Sequence, residues 1–141
     1  MIRMEDEWGD RVHEVMMSTI DLIQRGETEQ AFVELDRALA DALRDKQEAW
    51  VQTLCKHAAV MALAAGDRSR EIHYTKQALP FARDRQFALY NLAKVLRLDG
   101  QIDLAETYAT EAYQLSIGEE NQDNRDLAAV ILKVWPHIAK S

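Results

Sequence analysis

The feature that most constrains this 141-residue chain is a recurrence of small residues at a fixed interval. Gly66 and Gly100 are 34 positions apart, and Ala78 and Ala112 are 34 positions apart as well. A fixed interval of roughly 20 to 50 residues is typical of chains built from repeated supersecondary units. The stretch 86–119 contains the second glycine and the second alanine.

The stretch 86–119 predicts two short helices joined by a tight turn. Its first half has apolar or small residues at the i, i+3, i+4, i+7 spacing of an amphipathic helix, namely Leu89, Leu92, Ala93 and Leu96. Gly100 ends this helix, because glycine takes a left-handed C-terminal cap at little cost. The second stripe is rich in alanine and consists of Ala105, Tyr108, Ala109 and Ala112. Alanine lets two helices approach closely, so the segment is an antiparallel helical hairpin.

This hairpin resembles one tetratricopeptide repeat, a unit of about 34 residues. The positions that carry the resemblance are Leu89, Asn91, Leu92, Ala93, Leu96, Gly100, Ile102, Ala105, Ala109 and Ala112. Two positions depart from the repeat: Leu89 stands where an aromatic residue is usual, and Ile117 replaces the terminal proline. The resemblance implies an all-α fold, an α-α superhelix of three tetratricopeptide-like helical hairpins plus a C-terminal capping helix.

Two earlier segments show the same pattern. The first hairpin covers about 5–45, where Gly26, Ala31 and Ala38 correspond to the glycine and alanines of the hairpin at about 84–117. The second covers about 46–82. No Gly or Pro separates the two, and we expect a break at Asp45, which with Glu48 reads as a capping box.

Other helix boundaries follow from capping residues. Thr28, Asp67 and Asp84 are the expected N-caps of three helices. Glu71 stands where the repeat requires a small residue, so we expect its helix to rotate until a different set faces inward, namely Ile72, Thr75 and Leu79. Pro80 should end that helix.

A last helix is predicted over about 123–139, beginning near Asp123 or Asn124. Its apolar stripe consists of Leu127, Val130, Ile131, Val134, Trp135 and Ile138. A terminal helix commonly covers the open end of a repeat array, and the whole chain 1–141 is predicted to be one domain. The alternative is that this helix pairs with a second copy, through Val134, Trp135 and Ile138.

Composition excludes several classes of function. A net charge of −7 disfavours nucleic acid and acidic membranes as partners. No run of 18 apolar residues is present, and the charged start MIRMEDEWGD differs from a signal peptide. The single cysteine, Cys55, gives no sign of an oxidising compartment. We therefore expect a cytoplasmic protein.

Nothing in the sequence indicates catalysis. The histidines, His13, His57, His73 and His137, lack metal-ligand spacing, and we expect surface or groove positions for them. Cys55 should be a half-buried structural residue, since i and i+2 side chains on a helix point apart. We predict a non-enzyme with no metal and no cofactor; a small-ligand sensor on the same scaffold is a third possibility.

The resemblance implies a concave groove that binds a peptide or partner protein. Its lining would be Met16, Ile20, Lys56, Val60, Phe87, Tyr90, Asn91, Lys94 and Arg97, with His13, Ile23 and Leu63 beside them. A partner with an apolar anchor and an acidic group would suit this lining, although Lys94 and Arg97 could equally be ordinary solvated residues. The carboxylate clamp of some family members is rejected, because its positions here hold Met16, Ile20, His57, Phe87 and Asn91.

Overall fold

The computed structural model describes residues 4–140, with side chains from Glu7 onward. Within this range the chain forms seven α-helices and no strand, which confirms the all-α prediction. The helices are α1 (Met4–Gln24), α2 (Thr28–Arg44), α3 (Glu48–Ala64), α4 (Arg68–Ala78), α5 (Arg85–Leu98), α6 (Ile102–Gly118) and α7 (Gln122–Val134). Short 3-10 turns lie at Leu79–Phe81, where the helix before Pro80 ends, and at Pro136–Lys140.

The turns after α1, α2, α3 and α5 share one pattern of backbone hydrogen bonds. After α5, the N–H of Gly100 donates to the carbonyl of Arg97 (3.1 Å) and the N–H of Gln101 donates to that of Leu96 (3.0 Å). These two bonds form the Schellman motif, in which the residue after the helix takes a positive φ. φ is 85° at Gly100 and 80° and 71° at the equivalent glycines, Gly26 and Gly66. The predicted glycine stops are confirmed.

The turn between α2 and α3 has this geometry without a glycine. The N–H of Lys46 donates to the carbonyl of Leu43 (3.1 Å), and Lys46 has a φ of 56°. The predicted break is therefore in the right place. The predicted capping box of Asp45 and Glu48 is wrong, because the N-cap of α3 is Gln47 and its side chain makes no capping hydrogen bond.

The predicted caps had mixed outcomes. Asp67 caps α4, since its side chain accepts a hydrogen bond from the N–H of Arg70 at 3.0 Å. Asp84 is the N-cap of α5, but without a side-chain capping bond. Thr28 is wrong by one residue, because it is the first helical residue of α2 and Glu27 precedes it as the cap.

The chain divides into two compact units, Met1–Phe81 and Ala82–Ser141. In unit 1, α1 packs on α2 and α3 packs on α4, while α3 also contacts α1 and α2. In unit 2, α5 packs on α6 and α7 packs on α6. Apart from the contact between α1 and α3, these helix pairs are formed by neighbours along the chain, as a hairpin fold requires. The single domain over 1–141 stays a prediction.

Unit 1 has one apolar core to which all four of its helices contribute. Its buried members include Trp8, Val12, Phe32, Leu35, Leu39, Leu54, Met61 and Tyr74. Burying a side chain of this size contributes about 1.5–3 kcal/mol, so a core shared by all four helices stabilises the contacts between the hairpins as well as those within them. The predicted small residues Ala31 and Ala38 of α2 are both buried, and so are Leu35 and Leu39 on the same helix.

α4 differs from the expected rotation. Ile72 is buried as predicted, but Thr75 and Leu79 are only half-buried, and the prediction for these two is wrong. Glu71 stays in the contact, where its carboxylate pairs with Arg68 at 3.1 Å. The inward position is taken instead by Tyr74, which is 1% exposed.

Tyr74 and Arg70 connect α4 to α2. The Tyr74 hydroxyl donates to Asp36 Oδ1 at 2.7 Å, and its ring stacks on Phe32 with the ring centroids 6.0 Å apart. Arg70 donates to both carboxylate oxygens of Glu29, at 2.9 and 2.7 Å, and lies over the Phe32 ring. Long side chains thus bridge a gap that small residues would leave open.

Unit 2 has the close helix contact that its alanines predicted. The stripe of α5 is completely buried and consists of Leu89, Leu92, Ala93 and Leu96. The three alanines of α6 that face it, Ala105, Ala109 and Ala112, are completely buried as well. Because the α6 side of this contact has only methyl groups, the two backbones can approach closely.

α7 begins one to two residues before the predicted start. Its N-cap is Asn121, whose side chain accepts from the N–H of Asn124 at 2.8 Å. The Asn124 side chain is itself buried: its Oδ1 accepts from Gln86 (3.0 Å) and its amide donates to the carbonyl of Glu119 (2.6 Å). These bonds attach the start of α7 to α5 and to the end of α6.

Candidate partner-binding faces

The predicted lining residues of unit 1 lie on two adjacent helices. Met16 and Ile20 are on α1, where both are half-buried and pack against the core. Lys56 and Val60 are on α3, where both are exposed. Leu63 lies one turn after Val60 on α3. We give the name α1–α3 face to the five residues Met16, Ile20, Lys56, Val60 and Leu63. Val60 and Leu63 are each 56% exposed, so this face presents apolar surface to solvent.

A buried polar pair joins the two helices beneath this face. Thr19 Oγ1 lies 2.8 Å from His57 Nε2, and the Thr19 hydroxyl donates to the carbonyl of Val15 at 2.7 Å. The contact between Thr19 and the imidazole is a hydrogen bond that joins the two helices, and burial lowers the pKa of His57. Ile20 directly follows Thr19, and Val60 lies one turn after His57. The hydrogen bond between Thr19 and His57 therefore sets the spacing of α1 and α3 near Ile20 and Val60.

The predicted lining residues of unit 2 all lie on α5. They are Phe87, Tyr90, Asn91, Lys94 and Arg97, and we call them the α5 strip. Phe87 and Tyr90 are half-buried, and the other three are exposed. Burial raises the pKa of Tyr90.

Among the side chains that the structure describes, the two cations of the α5 strip have no acidic partner. Lys94 Nζ lies 4.9 Å from the centroid of the Tyr90 ring, which is a cation–π contact. Neither Lys94 nor Arg97 forms an ion pair with any residue whose side chain the structure describes. Most arginines of unit 1 differ in this respect, as Arg11, Arg25, Arg44 and Arg70 all pair with carboxylates.

The residues predicted for self-association differ in how much of each side chain is exposed. Trp135 and Ile138 are 5% and 4% exposed, whereas Val134 is 38% exposed. The first two therefore already contribute to packing within a single chain. Self-association through these residues stays a prediction, and Val134 with its exposed neighbour Val130 is the part of it that lies at the surface.

No described cluster has the chemistry of a catalytic or metal centre. Cys55 is completely buried, beyond the half-burial predicted, and burial raises the pKa of its thiol to about 12, so the thiol is protonated and inaccessible. No three potential metal ligands lie together among the described side chains. A shallow depression of about 410 Å³ on α6 is lined by acids and threonines, namely Asp103, Glu106, Thr107 and Thr110.

Sequence reasoning missed two contacts that shape unit 1. It placed His57 at the surface or in the groove, which is wrong, because the ring is buried against Thr19. It also gave no role to Tyr74. A signal for the first was present, since Thr19 is a hydroxyl residue within an otherwise apolar stripe and requires a hydrogen-bond partner there.

Comparison with known proteins gives one solved structure of the same fold. It is the C-terminal tetratricopeptide-repeat domain of a Plasmodium falciparum FK506-binding protein, with a TM-score of 0.55 and 17% identity. The match covers 99% of this chain and 97% of that domain. No family model and no curated protein matches the sequence. The chain thus has a tetratricopeptide-like fold of helical hairpins with a C-terminal helix.

Proposed function

Because the chain has a tetratricopeptide-like fold, we propose that it is a protein–protein interaction module that binds a peptide segment or a partner protein on the α1–α3 face. The observation that carries this proposal is the exposed apolar pair Val60 and Leu63 on α3, beside the half-buried apolar residues of α1. Large apolar side chains that face solvent together mark interaction sites more often than isolated ones do.

The proposed mechanism is recognition on a preformed surface without covalent chemistry. The α1–α3 face supplies apolar contact, and the buried bond between Thr19 and His57 holds the two helices in register beneath it. A preformed surface loses little conformational entropy on binding, which favours affinity.

Every helix that the structure describes is too short or too polar to span a lipid bilayer. The cytoplasmic location stays a prediction from the sequence.

Affinity capture with matched variants tests this function. The full-length chain is immobilised as wild type, as Val60→Asp/Leu63→Asp, and as Val33→Asp/Leu43→Asp, and bound proteins from the native lysate are quantified by mass spectrometry. The control pair is also exposed and apolar but lies on α2. We expect the α3 variant to lose most of its specific partners and the α2 variant to keep them.

Circular dichroism shows whether each variant keeps its helices, which we expect because all four substituted residues are exposed. If the α3 variant captures the same proteins as the wild type, the α1–α3 face is not the binding surface. If the wild type captures nothing above the background of an empty support, the interaction function itself is wrong.

A further inference from the structure

We propose that the α5 strip binds an acidic segment of the partner through an internal side-chain carboxylate. This inference rests on the proposed function, because it names the chemistry of the partner that the module recognises. It is carried by observations in unit 2 alone and uses no residue of the α1–α3 face.

The charge of α5 is opposite to that of the chain as a whole. The chain has a net charge of −7, yet the segment 85–98 contains Arg85, Lys94 and Arg97 and no acidic residue. Arg85 pairs with Glu111 at 3.2 Å, which leaves Lys94 and Arg97 as adjacent cations one helical turn apart. Like charges one turn apart on a helix repel each other, and a carboxylate from another molecule would relieve this repulsion.

The surroundings of these cations favour a peptide. The Tyr90 ring holds the Lys94 side chain by a cation–π contact at 4.9 Å, so the ammonium group has less freedom to lose when a carboxylate binds. Asn91 is exposed and offers an amide that can bond a peptide backbone. Leu98, directly after Arg97, is 67% exposed and offers an apolar contact at the end of the strip.

Two other ligands fit these observations less well. A nucleic acid would meet only the two exposed cations of the α5 strip, on a protein with a net charge of −7, and phosphate recognition needs many cations. A chain-terminal carboxylate would be held at the clamp positions Phe87 and Asn91, which carry no charge. Lys94 and Arg97 lie further along α5. There they can bind a side-chain carboxylate from within a peptide whose chain continues on both sides.

Selection from a random peptide library tests the proposal. A library of short displayed peptides is selected on the full-length wild-type chain, and the enriched sequences are synthesised with amidated C-termini. Their binding is then measured by fluorescence anisotropy to the wild type, to Lys94→Glu/Arg97→Glu, and to Lys133→Glu/Lys140→Glu. The control pair is exposed, lies in the same unit and changes the net charge equally.

We expect the enriched peptides to contain Asp or Glu beside an apolar residue. Their binding should weaken about tenfold or more in Lys94→Glu/Arg97→Glu, because like charges then face each other, and should change little in the control. A milder variant, Lys94→Gln/Arg97→Gln, should show a smaller loss in the same direction. Raising the salt from roughly 50 to roughly 300 mM should weaken binding to the wild type.

Several results would overturn the inference. If the enriched peptides contain no Asp or Glu, the strip does not recognise a carboxylate. The same conclusion follows if they bind equally to Lys94→Glu/Arg97→Glu and to the control Lys133→Glu/Lys140→Glu. If such peptides lose binding in Val60→Asp/Leu63→Asp, the interaction function holds while this inference fails. If no peptide is enriched at all, this inference fails, and the capture experiment alone decides the interaction function. Self-association that disappears in Lys94→Glu/Arg97→Glu would assign the strip to a second copy of the chain.

Discussion

His57 is the buried titratable residue whose ionisation most directly affects unit 1. Its ring forms a hydrogen bond with Thr19 between α1 and α3, and burial lowers its pKa below the ordinary value of about 6.5. Protonation would place a positive charge among apolar side chains, which costs free energy. The unfolded chain binds this proton more tightly than the folded one.

We therefore expect the protein to lose stability as the pH falls below about 6.5. The stabilisation is fully present above the unfolded pKa of His57 and decreases toward its lower folded pKa, by no more than about 1.4 kcal/mol per pH unit for one proton. Urea unfolding between roughly pH 7.5 and 5.5 measures this. His57→Gln should flatten the dependence, whereas His13→Gln, at an exposed position, should not. An unchanged dependence in His57→Gln would contradict the assignment.

At the scale of the element, the turns that end the helices form one series. Gly26, Lys46, Gly66 and Gly100 all have a positive φ after a helix, and only the second is not glycine. A residue with a Cβ costs about 1–2 kcal/mol in this conformation. The chain accepts this cost at Lys46, where the bonds to the end of α2 are otherwise the same.

We expect Lys46→Gly to raise the free energy of unfolding by about 1 kcal/mol and Gly100→Ala to lower it by about as much. Denaturant unfolding of the purified variants measures both effects. Gly118→Ala is the matched control, because Gly118 has no positive φ and an added methyl group would meet nothing within 4 Å. Equal effects of both alanine substitutions would show that φ does not determine the cost.

At the scale of the whole molecule, the competing hypothesis is self-association through the C-terminal helix. A specific protein–protein interface of standard size buries about 800 Å² per partner, and obligate homodimers bury more. The large exposed apolar residues of α7 are Val130 and Val134. Their neighbours on the outer face are mostly charged, namely Asp123, Arg125, Asp126 and Lys133. So small an apolar area does not supply an interface of that size.

We therefore expect sedimentation velocity to show a monomer at the highest concentration reached. The same run with Val134→Asp, and with Val33→Asp on α2 as its control, decides the alternative. A dimer that Val134→Asp dissociates and Val33→Asp leaves intact would establish self-association and count against our expectation.

Much of the fold could be predicted because its determinants are local in the sequence. Three helix stops depend on a glycine at a fixed place, and the contact between α5 and α6 depends on the alanines of α6 and the leucines of α5. The candidate faces could be named for the same reason, since helical spacing alone shows which residues share one side of a helix. Where local signals were ambiguous, as at Asp45 or Thr28, the cap was misplaced although the break was found.

By itself, the sequence determined the class of fold, the helix order and the residues that share each face, because glycine conformation and apolar periodicity act over one or two turns. Only the tertiary structure decided that His57 is buried against Thr19, that Tyr74 fills the position expected for a small residue, and that Lys94 rests on Tyr90 without an acidic partner. The contacts of His57 and Tyr74 join residues 38 positions apart in the chain. Their partners are selected by the packing of whole helices, which local patterns do not encode.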